Sequence, residues 1–343
     1  MTMRDTLSSC AAFSRNLSPQ QMWQSRNEAH RKGEYAMWKS ILVVVASLTP
    51  FAPVVQAQDD LSKVNIRISK LAGNVYLLVG DGGNIAASIG EDGIVIVDDQ
   101  YAPLAEKIQS ALKGISDKPI RFVINTHYHV DHTDGNEYFQ KQAPIIAHDN
   151  VRKRLENGGE AENLASLKFE AKPQVRGALP LLTFDHDVTI HLNGEDIKVM
   201  HLQNGHTDGD SIVYFPKSNV VHMGDDFLRI GFPFVDLAAG GSVRGLAALE
   251  ELIPTLPPDV IVIPGHGVVS NLDDVRTFVK MLKETRAVVD RGVKRGKTLD
   301  QLKHEKILDP WKDWSGQWIT TDIYLETLYN DVVRNPGTFV NHN

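Results

Sequence analysis

Cysteine is almost missing from this sequence: among 343 residues the single one is Cys10. One cysteine forms no internal disulfide. From residue 58 onward the chain has no thiolate to bind a metal or act as a nucleophile. Basic excess is missing too. The formal net charge is −7, from 36 Lys and Arg against 43 Asp and Glu, and no long basic run occurs. That argues against nucleic acid as the main partner. No uninterrupted apolar stretch approaches the roughly 20 residues of a membrane span, and no repeat occurs at solenoid spacing. What is present is an ordinary globular composition, 42% hydrophobic, enough for a substantial core.

The amino-terminal part reads differently. Arg31, Lys32 and Lys39 precede the apolar run Ile41–Leu48, Pro50 and Pro53 break it, and Val55-Gln56-Ala57 follows. This pattern predicts a secretory signal peptide cleaved after Ala57, with a periplasmic or secreted product and no stable membrane insertion after cleavage. Signal peptides open their chains, so Met37 is the expected start and residues 1–36 an over-extended reading. Residues 1–57 are set apart as a leader. Residues 58–343 are expected to form a single domain with a helical extension over about 298–333.

Within that domain, Asn74–Val79, Ile85–Ile89 and Ile94–Val97 are short apolar runs separated by Gly80-Asp81-Gly82-Gly83-Asn84 and Gly90-Glu91-Asp92-Gly93. Such spacing predicts an antiparallel meander. Helical spacing covers Ala105–Leu112, Asn150–Leu155, Leu246–Leu256 and Leu272–Val293, and Leu299–Val333 reads as mostly helical. Asn193-Gly194 between Val188–Leu192 and Ile197–Leu202 is a strong hairpin signal. Ser211–Phe215 and Asn219–Met223 repeat the idea, and Ile145–Ala147 and Val260–Ile263 read as buried strands. The charged stretch Glu156–Gly177 reads as a flexible excursion with room for a short helix.

The chemistry concentrates in one run, His127-Tyr128-His129-Val130-Asp131-His132, directly after the β-branched segment Ile120–Ile124. Three histidines and an aspartate share six positions at a strand end, where sheet proteins build sites. Imidazole suits zinc, and a carboxylate adds a hard oxygen. Positions 127 and 129 share a direction in extended backbone, whereas Asp131 and His132 diverge, so the run can serve two metals. Further candidates follow three more strands, each after a glycine: His206, the Asp225-Asp226 pair and His266.

His127-x-His129-x-Asp131-His132, then His206, Gly224-Asp225 and His266, together resemble the metallo-β-lactamase superfamily over most of residues 64–270. The resemblance implies an α/β fold, a four-layer αββα sandwich of two mixed sheets flanked by helices. It implies two Zn2+ ions, with iron or manganese as alternatives. His127, His129 and His206 would hold one, and Asp131, His132 and His266 the other, with Asp225 bridging. Asp98, at a strand end, matches the superfamily's aspartate that steadies the motif loop. A metal-bridging hydroxide would attack a carbonyl-type small-molecule substrate (β-lactam, lactone, ester or thioester), with Asp131 orienting it.

The superfamily also hosts phosphodiesterases, sulfatases, RNA-processing nucleases and mononuclear iron sulfur dioxygenases. Its diiron flavoproteins carry glutamate where this chain has His129, and its specialised β-lactamases commonly carry cysteine or serine where this chain has Asp225. A non-catalytic metal-binding module would be expected to have a broken ligand set. Phe232 and Phe234, just after the bridging position, are candidates for a substrate wall. His148, His186, His191, His201, His222, His304 and His342 match no ligand position.

Overall fold

The structure, a computed structural model, describes residues 60–160 and 170–336. The leader, Cys10 and His342 lie outside the described residues. Strands β1 (Arg67–Ala72), β2 (Val75–Val79), β3 (Ile85–Gly90) and β4 (Gly93–Val97) form the antiparallel meander. Then β5 (Ile120–Ile124) and β6 (Ile145–His148) run parallel to β4. A parallel neighbour needs a crossover. Helix α1 (Ala105–Lys113) supplies the first, and the short helices α2 (Val130–Thr133) and α3 (Asn136–Phe139) the second.

After β6 comes α4 (Asp149–Asn157), then β7 (Gly159–Glu160), which pairs with β8 (Glu170–Ala171). The exposed edge strand β9 (Leu182–Phe184) completes a seven-stranded sheet in the order β1-β2-β3-β4-β5-β6-β9. The second sheet is β10 (Asp187–Leu192), β11 (Glu195–His201), β12 (Ser211–Phe215), β13 (Val220–His222) and β14 (Ile261–Ile263) in sequence order. Only β14 is parallel to its neighbour. Its crossover holds α5 (Val243–Leu246) and α6 (Leu249–Leu252). Three helices follow β14: α7 (Leu272–Lys294), α8 (Leu299–His304) and α9 (Thr321–Arg334).

Side-chain alternation explains the layers. Along β4, Val95 and Val97 turn towards the second sheet, while Ile94 and Ile96 turn towards α1. Along β12, Val213 and Phe215 meet the first sheet, and Ile212 and Tyr214 pack beneath the helices of the second half. Both faces of these strands are covered, so Ile94–Val97 and Ile212–Phe215 run without a charged residue. The result is the predicted αββα sandwich. Helix α7 buries Leu272, Val275, Phe278, Val279, Leu282 and Val289 at helical spacing. Asn271 caps it, accepting from the amides of Asp273 and Asp274 at 2.9 and 3.1 Å, a cap that contributes about 1 kcal/mol. Residues Gln58–Asn343 form one compact unit.

One local expectation fails, and two local features went unread in the sequence. Leu246–Leu256 is not one helix but α5, α6 and a 3-10 turn at Ile253–Thr255. The first turn begins earlier, at Ser242, whose hydroxyl accepts from Gly245 at 2.8 Å. Pro254 lacks an amide and sits in the last turn. The excursion Glu156–Gly177 is framed by the β7–β8 pair, with residues 161–169 outside the described residues and a 3-10 turn at Arg176–Ala178. Strand β9 has three residues and little buried area, which leaves no periodicity to read.

Candidate metal centre

Because β4 and β5 are parallel, as are β13 and β14, each pair of carboxyl ends lies on one side of its sheet. The motif loop follows β5, Asp98 follows β4, His206 follows β11, Asp225 follows β13 and His266 follows β14. Backbone bonds join these loops across the sheets. Ser211 N donates to Thr126 O at 2.8 Å, and Asn84 N to Gly265 O at 2.7 Å. Asp225 lies in a 3-10 turn, Gly224–Asp226, entered through Gly224 at φ +52°. Gly265 must stay a glycine, since a Cβ there would lie 2.0 Å from Asp225 Oδ1.

All seven predicted ligands converge. Ligand atoms of His127, His129 and His206 lie within 4.8 Å of one another, as do those of His127, His132 and Asp225, and those of Asp131, His132 and His266. Both pairs of the motif thus point to one place, His127 and His129 on one side of Asp225, Asp131 and His132 on the other. The first group is buried, whereas Asp131 and His266 form the open side, at 19% and 23% side-chain exposure.

The hydrogen-bond network assigns the histidine tautomers. His127 Nδ1 faces Thr126 Oγ1 at 3.0 Å, and that hydroxyl already donates to Asp98. His129 Nε2 faces Asp236 Oδ2 at 3.1 Å. His132 Nδ1 faces Asp98 Oδ2 at 2.7 Å, and His206 Nδ1 faces Phe234 O at 2.8 Å. Each outer nitrogen therefore carries a proton, and each inner nitrogen is turned towards the shared space. His129 Nδ1 and His206 Nε2 meet at 2.8 Å, and His132 Nε2 lies 3.2 Å from Asp225 Oδ1. His127 Nε2 is buried without a hydrogen-bond partner among the described residues. The lone pairs of His129 Nδ1 and His206 Nε2 repel unless a cation lies between them. The residues fit divalent metal with nitrogen and oxygen donors.

The electrostatics follow from the same crowding. Burial, with His132 beside it, lowers the pKa of His127 well below the usual imidazole value; burial and His129 lower that of His206. Burial also opposes charge on His132, but Asp131, Asp225 and Asp98 outweigh it and hold its pKa well above the usual value. His266 is raised in the same way, by Asp225 and Asp131 against its burial. The Asp131 carboxyl is held at about 2, its burial overcome by His132 and His266. In Asp225 burial is overcome by His266 and His132, which keep it well below the carboxylate range.

Asp98 behaves as expected: it accepts from Thr126 N at 2.7 Å and from Thr126 Oγ1 at 2.8 Å while holding His132. It does so from φ 65°, a left-handed conformation that aspartate tolerates better than most residues. Asp226 is a neighbour, its Oδ1 accepting from His206 N at 3.1 Å. Burial and Asp210 raise its pKa well above the usual range. The two aspartates diverge within a turn rather than along a strand, because β13 ends at His222.

The aromatic pair divides. Phe232 is core, stacked on Tyr324 at 4.2 Å between ring centroids, and is no part of a substrate wall. Phe234 lies against His129 and His206, at 5.8 and 5.7 Å. Among the described residues, none of His148, His186, His191, His201, His222 and His304 joins a ligand group. His148 and His201 stack on each other at 3.8 Å, and His222 braces the site's floor between Asn84 O and Gly224 N. Sequence reasoning missed Asp236. Its one signal is a lone acid inside the apolar run Phe234-Val235-Asp236-Leu237, where a buried charge needs partners.

A two-sheet sandwich with loop-borne histidines and aspartates around a shared cation site defines a metal-dependent hydrolase fold. The sequence profile of the Metallo-beta-lactamase superfamily matches residues 69–266, and the chain belongs to that superfamily. It is 24% identical over 209 residues to the Probable metallo-hydrolase YqgX of Bacillus subtilis (strain 168), spanning 58% of this chain and 87% of that protein. It is 24% identical over 260 residues to the Linear primary-alkylsulfatase of Pseudomonas sp., covering 64% of this chain but about half, 49%, of that protein. Among solved structures, a metallo-beta-lactamase from Pontibacter korlensis superposes with a TM-score of 0.50 at 18% identity, over 63% of this chain and 99% of that one. Such a likeness shows the fold.

Proposed function

We propose that this chain is an exported dinuclear zinc hydrolase that cleaves a carbonyl-type bond, in a β-lactam, lactone, ester or thioester. The supporting observation is the convergence of seven nitrogen- and oxygen-bearing side chains around the buried His127 Nε2, which has no hydrogen-bond partner among the described residues. His127, His129 and His206 would hold one cation, and Asp131, His132 and His266 the other, with Asp225 between. When bound, the cations supply Lewis acidity and bring the pKa of a coordinated water towards about 7.

The chain's own residues do the rest. Asp131, on the open side, lies 3.0 Å from His266 Nε2. It is placed to orient the attacking water and to pass its proton to the leaving group. The buried histidines and Phe234 keep bulk water from the opposite wall. No ligand is missing, which speaks against a non-catalytic binding module.

A sulfate ester is the second reading. The alkylsulfatase alignment runs over 260 residues, against 209 for YqgX. Metal analysis of the purified protein, with nitrocefin, thioester, lactone, phosphodiester and alkyl sulfate substrates, separates the two. The expected result is two zinc ions per chain and carbonyl hydrolysis that a chelator abolishes and zinc restores. Hydrolysis that survives in metal-free protein overturns the proposal, and turnover of the alkyl sulfate alone moves it to the second reading. Export predicts a mature amino terminus at Gln58; secreted protein still carrying Met37–Ala57 contradicts it.

A further inference from the structure

His129 is unlike its companions. His127, His132 and His206 turn Nε2 inward, whereas His129 turns Nδ1 inward and is held from outside by Nε2. What holds it is a closed circuit of side-chain and main-chain contacts. Asp236 Oδ2 receives His129 Nε2 at 3.1 Å and the Tyr128 hydroxyl at 2.5 Å. Asp236 Oδ1 accepts from Ala239 N at 2.9 Å, so both carboxylate oxygens are fixed. The Asp236 amide donates to His206 O at 2.9 Å, tying the same residue to a second ligand.

On its other side, the Tyr128 ring lies 5.6 Å from the Arg154 guanidinium. Arg154 is clamped by Asp208 through two bonds of 2.7 and 2.6 Å, and Asp208 N donates to Ala239 O at 2.9 Å. The circuit runs Tyr128, Asp236, Ala239, Asp208, Arg154 and back to Tyr128. It meets the proposed ligands' ring nitrogens through the bond to His129 Nε2.

We propose that Tyr128 is a positioning residue for the metal: its hydroxyl fixes Asp236, and Asp236 fixes the Nε2–H tautomer and ring angle of His129. This rests on the metal-site reading above. A tyrosine that merely fills space would need no partner on the carboxylate that orients a ligand. Outer partners of this kind change metal affinity by about 10- to 100-fold when removed.

The test is zinc competition against a chelator of known affinity, with cobalt substitution as a spectroscopic readout, on wild type, Tyr128→Phe and Asp236→Asn. Tyr128→Phe deletes one oxygen and keeps the ring against His129 and Arg154. Both variants are expected to weaken one of two zinc ions about 10- to 100-fold, to change the cobalt spectrum and to retain the other ion. Native zinc affinity and cobalt spectrum in both variants overturn the proposal. So does a loss of metal-free thermal stability in Tyr128→Phe with zinc affinity unchanged. If wild type binds no zinc, the metal-site reading itself has failed, which the wild-type arm shows separately.

Discussion

Asp98 Oδ2 stands 2.7 Å from His132 Nδ1, and both side chains are fully buried. The aspartate also accepts the amide and hydroxyl of Thr126, so one carboxylate sets the start of the motif loop and the ring angle of its last histidine. Asp98→Asn keeps the shape and the tolerance for a left-handed backbone but removes the charge. It is expected to weaken zinc at the His132 side by about 10- to 100-fold and leave the fold intact. Asp98→Ala should in addition lose about 1–3 kcal/mol of stability for each buried Thr126 donor left unpaired. Zinc competition and urea unfolding measure the two effects; native zinc affinity in Asp98→Asn would remove Asp98 from the metal's support.

Two adjacent aspartates face different partners. Asp225 points among His132, His206 and His266, at 3.2, 3.7 and 3.6 Å. Asp226 bonds the His206 amide and shares its surroundings with Asp210. Asp225→Ala should drop metal content from two ions towards one, because the anion that screens their repulsion is gone. Asp226→Ala should retain both. Elemental analysis decides it, and the reverse pattern would shift the bridging role by one residue.

The convergent residues were legible because their signals are local. His127 to His132 are packed into six positions, and Gly224 and Gly265 directly precede Asp225 and His266. The meander and the Asn193-Gly194 hairpin were legible for the same reason. Asp236 was not, since its partner His129 lies 107 positions away and no spacing links them. Phe232 and Phe234 look alike in sequence. Only the packing of α9, which brings Tyr324 onto Phe232, separates core from site. The broken helix near residue 250 was misread because tertiary turns override a helical pattern.

Protons would compete with a bound zinc ion here. His132 and His266 have raised values, so the folded metal-free protein keeps protons there that the unfolded chain gives up. That contribution is fully present below about 6.5 and is lost as pH rises through the raised folded values. Zinc must displace the same protons. His127 and His206, with lowered values, work in the opposite direction and destabilise the fold as pH falls below about 6.5. The gap in Tm between zinc-loaded and metal-free protein is therefore expected to widen as pH rises above 6.5, with proton release on zinc binding seen by calorimetry in paired buffers. A gap independent of pH, without proton release, contradicts this protonation scheme.

The helices after β14 are held by a buried ion pair outside the candidate metal centre. Arg286 Nε donates to Asp331 Oδ2 at 2.8 Å and Arg286 Nη2 to Asn335 O at 2.7 Å, joining α7 to α9, with the paired side chains 1% and 0% exposed. Removing one partner leaves the other charged and buried. Arg286→Met or Asp331→Leu alone should each cost about 3–5 kcal/mol. The double variant should recover most of that, because apolar replacement of a whole buried pair is often neutral. Since α9 carries Tyr324 against Phe232, two residues before Phe234, partial melting of α9 should loosen the wall beside His129 and His206 before the ligands themselves separate. Urea unfolding of the three variants measures the first claim. Tryptophan fluorescence of Trp311 and Trp314, which pack against this core, measured beside zinc content, tests the second. Single variants within about 1 kcal/mol of wild type would place this pair with weak surface bridges and remove α9 from the site's support.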